Sequence, residues 1–128
     1  MPIEIEYIDD NIIIMRMIGF LTNDEITTTI EKEVRQRVAG KPDFTLHAIY
    51  DVTEFEWSFA EFINYIKQRA PERSRENEGT VHEHFVGNSQ WVQQLRTWWQ
   101  KQLGKETTAF ISMDDAIAYA RSITPTSS

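Results

Sequence analysis

Two apolar rhythms take turns along this chain, and that alternation limits its fold more than any other feature. Runs with every second residue apolar, the period of a half-buried strand, alternate with runs whose apolar residues recur every third or fourth position, the period of a helix packed on one side. Ile3, Ile5 and Tyr7 alternate with Glu4, Glu6 and Ile8 before Asp9-Asp10-Asn11 supplies turn residues. Residues 12 to 19 then place Ile12, Ile14, Arg16 and Ile18 on one face and Ile13, Met15 and Met17 on the other. So short a connection makes these two strands an antiparallel hairpin, with Arg16 marking the wetter face.

Helices and strands alternate from there on. Thr22-Asn23-Asp24-Glu25 reads as a cap with first-turn acids, and Ile26, Ile30, Val34 and Val38 follow at every fourth residue until Gly40 and Pro42 end the helix. Residues 45 to 51 (TLHAIYD) are a strand, and Phe59, Phe62, Ile63 and Ile66 have the spacing of a second helix that Pro71 stops. Residues 69 to 79 form a charged, solvated connection in which Arg69, Arg73 and Arg75 offer at most a minor anion contact. Residues 80 to 86 are a strand, Gly87-Asn88-Ser89 a turn and cap, and Trp91, Val92, Leu95, Trp98, Trp99 and Leu103 the stripe of a third helix that Gly104 ends. A strand over residues 107 to 111 leads to Ser112, which with Asp115 starts a fourth helix using Ala116, Ile117 and Ala120. The order ββαβαβαβα calls for a five-stranded, mostly parallel α/β sheet, its first strand antiparallel, with four helices. The expected organisation is one domain over residues 1 to 123 with a frayed tail at 124 to 128.

Composition narrows the function classes. With 128 residues, 41% of them hydrophobic, there is material for one well-packed core. No run of about eighteen apolar residues exists and the N-terminus is acidic, so neither membrane insertion nor a secretory signal is expected, and the chain is placed in the cytoplasm. The absence of cysteine excludes disulfides and thiolate metal sites. A net charge of −7 argues against nucleic acid, whose binders need a basic face.

These elements resemble the STAS superfamily, the sulfate-transporter and anti-sigma-factor-antagonist domain, in its compact SpoIIAA-like branch. The resemblance is carried by the opening hairpin, AIYDVTEF at residues 48 to 55, VGNSQW at 86 to 91 and AFISMDDAIAYA at 109 to 120, and it covers nearly the whole chain. It implies strands in sequential order with right-handed crossovers and a non-catalytic role in binding proteins or small ligands; related CRAL-TRIO domains carry lipids in an apolar pocket. The phospho-switch members of the superfamily have an Asp-Ser pair followed closely by Gly at the start of the second helix. This chain has Trp57-Ser58-Phe59-Ala60-Glu61-Phe62 there, so Ser58 is the nearest hydroxyl, about two positions displaced, and its plainer reading is an N-cap.

In parallel α/β sheets, ligands bind beyond the carboxyl ends of the strands, where helix N-termini gather. Residues 22 to 25, 51 to 61, 87 to 91 and 112 to 115 make up that rim, holding Asp24, Glu25, Asp51, Glu54, Glu56, Glu61, Asp114 and Asp115 but no lysine or arginine. The plain reading is acids complementing helix dipoles; the sharper one is a docking surface for a basic protein segment at Asp51, Thr53, Glu54, Glu56, Ser58, Gly87, Asn88 and Ser89. Backbone N–H groups at Gly87 to Ser89 could hold an anion, although the stretch lacks the glycine spacing and lysine of a phosphate loop. The alternative to docking is a small apolar ligand lined by Phe55, Phe59, Phe62 and Trp91. Trp98 and Trp99 lie about 100° apart around their helix, so one of them is expected at the edge of the buried stripe, where it would suit a homodimer contact. His82 and His84 share a strand face that His47 can approach, which is metal-ligand spacing, although a wet sheet face also accommodates histidines without any metal. With no cysteine, no GxSxG elbow and carboxylate pairs only in solvated turns, neither catalysis nor a cofactor is expected.

Overall fold

The computed structural model describes residues 3–56, 58–69, 79–103 and 108–123. Strand β1 (Ile3–Asp9) pairs antiparallel with β2 (Ile12–Gly19), and β3 (Thr45–Phe55), β4 (Thr80–Val86) and β5 (Thr108–Phe110) add in parallel, in the order 1-2-3-4-5. Four helices join them: α1 starts as Asn23–Ile30, and α2 (Phe59–Arg69), α3 (Ser89–Leu103) and α4 (Met113–Ile123) follow. This is the fold class that the alternation of rhythms predicts. No helix among the described residues is long and apolar enough to cross a membrane. Most of the charged connection at 69 to 79, Trp57 and the 124 to 128 tail lie outside the described residues, as do the side chains of Phe59 and Trp99.

The two faces of the sheet are covered differently. Ile13, Met15, Leu46, Ala48, Tyr50, Val52 and Phe85 point to one side, where Ile26, Val34 and Val38 of the first helix, Phe62 and Ile63 of α2, and Val92 and Leu95 of α3 complete the larger core. The opposite parity, Ile12, Ile14, Ile49 and Val86, meets Ala116 and Ala120 of α4. Alanines at the contact let α4 lie close against β3, β4 and β5.

Three local departures have physical causes. After Ile30 the first helix passes through a π-helical stretch, Glu31–Arg35, to a final α-helical turn, Gln36–Val38. A strict four-residue apolar repeat drifts around an α-helix by about 40° per step, because 3.6 residues complete a turn. The wider π turn takes up that drift and keeps both Val34 and Val38 buried. The register shifts between Tyr7 and Asp9, while Ile8 reaches the smaller core by its parity and Tyr7, on the face of Ile3 and Ile5, is half exposed near the strand end. There its hydroxyl donates to Glu33 and Arg37 covers its ring at 4.1 Å. Strand β3 runs to Phe55 rather than stopping at Asp51, because Ile18 and Gly19 go on pairing with Glu54 and Phe55 and the Glu56 N–H donates to the Gly19 carbonyl at 3.0 Å.

Candidate functional site

Parallel pairing of β2 to β5 brings four helix N-termini to one edge of the sheet, and each is closed by a side chain. Thr22 and Glu25 form a reciprocal capping box, the Glu25 N–H donating to Thr22 Oγ1 and the Thr22 N–H to Glu25 Oε1, both at 3.1 Å. Ser58 and Glu61 repeat the arrangement: the Glu61 N–H donates to Ser58 Oγ at 3.2 Å and the Ser58 N–H to Glu61 Oε1 at 2.9 Å. Asn88 Oδ1 accepts from the Trp91 N–H at 2.9 Å, and Ser112 Oγ from the Asp115 N–H at 3.4 Å. Ser58 is therefore a helix cap with an exposed side chain. Ser58→Ala is expected to lower stability by about 1 kcal/mol, measured as a shift in urea midpoint, and a change below a few tenths would show that the box contributes nothing.

The rim acids divide into two groups. Glu25 and Glu61 are tied into capping boxes, and Asp51, which lies within β3 rather than in a turn, accepts from the Thr53 N–H at 3.0 Å and the Thr53 hydroxyl at 2.5 Å. Asp24, Glu54, Glu56, Asp114 and Asp115 are exposed, as are Thr53, Asn88 and Ser89. Gly87 is not part of that surface. It is buried, its N–H donates to the Phe110 carbonyl at 3.1 Å, and a Cβ there would lie 3.2 Å from Val52 Cγ2, so it is neither a partner contact nor a free anion donor. The four stretches themselves hold no cation, but strand pairing adds one beside them. The β2–β3 register sets Arg16 beside Asp51, and Arg16 donates to Glu6 at 2.9 Å.

Sequence reasoning missed two apolar members of this rim. Phe20 is 64% exposed and Ile111 67% exposed. Phe20 follows β2 in the gap where strand alternation has ended and the helical period has not begun, so periodicity assigns it no side, while Ile111, expected inside a strand over residues 107 to 111, lies just past the end of β5 at Phe110. Their strands are three spacings apart, which separates the strand ends by roughly 14 Å.

Of the aromatic residues expected to line an apolar pocket, Phe55, Phe62 and Trp91 belong to the larger core, and the Phe59 side chain lies outside the described residues. Phe55 and Phe62 are buried, and the Phe62 ring meets Trp91 at 5.0 Å and Phe85 at 5.7 Å, edge-on in both cases. Trp91 and Trp98 pack partly buried against the same cluster, Trp98 thus standing at the edge of the buried stripe.

The three histidines do come together, but on a dry face rather than the wet one expected. His47 is 0% exposed and His84 1%, whereas His82 is exposed. His47 Nδ1 lies 3.0 Å from His84 Nε2 in a hydrogen bond between the rings, and His47 stacks at 5.2 Å on both His82 and His84. Near-parallel stacked rings do not aim their lone pairs at one point, and among the described residues no three His, Asp or Glu side chains are arranged to hold a metal ion. Burial and charge on His82 hold the His47 pKa below its usual value. Burial first, then charge on His47 and His82, lowers that of His84 to about 4.

No protein-family profile and no curated protein matches this sequence. Among solved structures, the chain is similar to an uncharacterized protein of the DUF3478 family with a SpoIIAA-like fold from Shewanella loihica PV-4. The two share 17% identity over 91% of this chain and 90% of that one, with a TM-score of 0.59. The fold is SpoIIAA-like, as the sequence motifs implied.

Proposed function

We propose that this chain is a non-catalytic, STAS-like binding and regulatory module that docks a basic protein segment on the rim at the carboxyl ends of its strands. The observation that carries this reading is the pair of exposed apolar side chains, Phe20 and Ile111, set at the β2 and β5 ends of a rim whose exposed charged groups include Asp24, Glu54, Glu56, Asp114 and Asp115. Apolar anchors supply affinity once water is excluded around them, and surrounding charge speeds encounter and selects the sign of the partner. The SpoIIAA-like fold supports the general role.

The test is capture from host lysate at low and high salt on immobilised wild type, on Phe20→Ser/Ile111→Ser and on Glu54→Gln/Asp114→Asn. The expected result is one protein whose retention drops about tenfold with the apolar pair removed and falls with added salt in the wild type but less so in the charge variant. A partner held equally by all three proteins, with no response to salt, would remove the rim from the reading.

A further inference from the structure

We infer that His47 and His84, with His82 beside them, form a proton-operated latch that seats α4 on the sheet at neutral pH and releases it in mildly acidic solution. The inference stands independently of the docking proposal. A ring nitrogen-to-nitrogen distance of 3.0 Å between His47 Nδ1 and His84 Nε2 has room for one proton, given by one ring and accepted by the other. With both rings neutral and His47 Nδ1 donating, a second proton on His47 has only Nε2 to occupy, a buried atom with no hydrogen-bond partner; with His84 Nε2 donating, the His47 Nε2 already carries a proton and a further one would fall between the two rings.

The surroundings make that second proton unwelcome from each side. From β4 comes His82, stacked on His47, so a charge there opposes one on His47. From α4, Tyr119 turns its ring towards His84 at 5.6 Å and also contacts Phe110. Arg121, the charged residue in the last turn of α4, is paired with Asp9 at 3.1 Å. From β2 and β3 come Ile12, Ile14 and Ile49, which cannot solvate charge. Ala116 and Ala120 are fully buried at the same contact, so hydrating a charged imidazole beneath α4 requires the helix to lift. The helices that build the larger core lie on the opposite face and keep their own contacts.

The direction follows from linkage. A histidine whose pKa is lower in the seated form than in the released form favours the seated form above the ordinary value of 6.5, and that advantage is lost as pH falls towards about 4. Between pH 7 and pH 5, His84 alone shifts the balance towards the released form on the order of twentyfold.

Hydrogen exchange on the full chain, read on peptides and corrected for the intrinsic pH dependence of exchange, tests this. The expected result is a fall in α4 protection of at least about tenfold between pH 7 and pH 5, with the first helix and β2 unchanged. In His84→Leu, which leaves only His47 buried beneath α4, the fall in α4 protection between the two pH values should be clearly smaller than in the wild type. In His82→Asn, which removes the exposed ring stacked on His47, a like charge that lowers the seated-form pKa values is gone, so release needs more acid and the α4 transition should move downward by about half a pH unit. The latch is overturned if α4 protection is constant from pH 7 to 4.5, or if α4 and β2 lose protection together. An unchanged pH response in His84→Leu overturns it too, and should that variant fail to fold, an unmoved transition in His82→Asn decides against it.

Discussion

Gly79→Ala is expected to destabilise the protein by about 3 kcal/mol, read as a lower urea midpoint at unchanged slope. A Cβ at this position would lie 2.3 Å from the Phe44 carbonyl oxygen and 2.7 Å from that of Lys41, and both are backbone atoms that cannot rotate away. Relief is resisted because the Gly79 N–H donates to the Val38 carbonyl at 2.9 Å, while the Lys41 N–H bonds to the same carbonyl at 3.1 Å and the Phe44 N–H to the Lys41 carbonyl at 3.0 Å. The end of the first helix, the turn into β3 and the approach to β4 thus meet on one hydrogen atom. Gly40→Ala is the control: Gly40 has φ of 72°, but nothing lies within 4 Å of a Cβ there, so only backbone strain of about 1 kcal/mol is expected. Equal losses in the two variants would mean that the crowding at Gly79 is relieved cheaply.

Phe62→Ala is expected to cost about 4 kcal/mol, because the ring is buried between Phe85 and Trp91 and its removal leaves a cavity that neighbours on a sheet and two helices cannot close. Phe62→Leu, which keeps much of the volume, should lose only about 1 kcal/mol. Denaturant unfolding of both variants, alongside titration with an apolar fluorescent dye, separates core packing from a ligand-lining role. A loss below 1 kcal/mol in Phe62→Ala together with tighter dye binding would favour the apolar-ligand alternative that Phe55, Phe59, Phe62 and Trp91 first suggested.

What could be read before folding was whatever neighbouring residues decide among themselves. Thr22 three residues before Glu25, Ser58 three before Glu61 and Ser112 three before Asp115 are short-range signals, and each serves at a helix start as its spacing implies. The parity of Ile12 to Met17 is similarly local, since successive strand side chains must face opposite ways. Element order then restricted the topology, because parallel neighbours need crossovers and crossovers have a hand. So the layered sheet, its antiparallel first strand and the location of the rim belong to the sequence alone.

Burial and neighbourhood across segments belong to the tertiary structure. His47 and His84 are 37 residues apart, and only the β3–β4 register together with α4 makes them a dry, hydrogen-bonded pair. Arg16 comes beside Asp51 in the β2–β3 register, although no linear stretch of the rim contains a cation. Phe20 and Ile111 stand exposed because chain leaving a strand is no longer bound by its alternation. Gly79 lies at the end of a charged stretch like any loop glycine, until the carbonyls of Lys41 and Phe44 close over it. Periodicity reports the side on which a residue lies relative to its own element; which distant atoms share that side is set when the sheet pairs, and the charge, exposure and crowding of the site follow from that pairing.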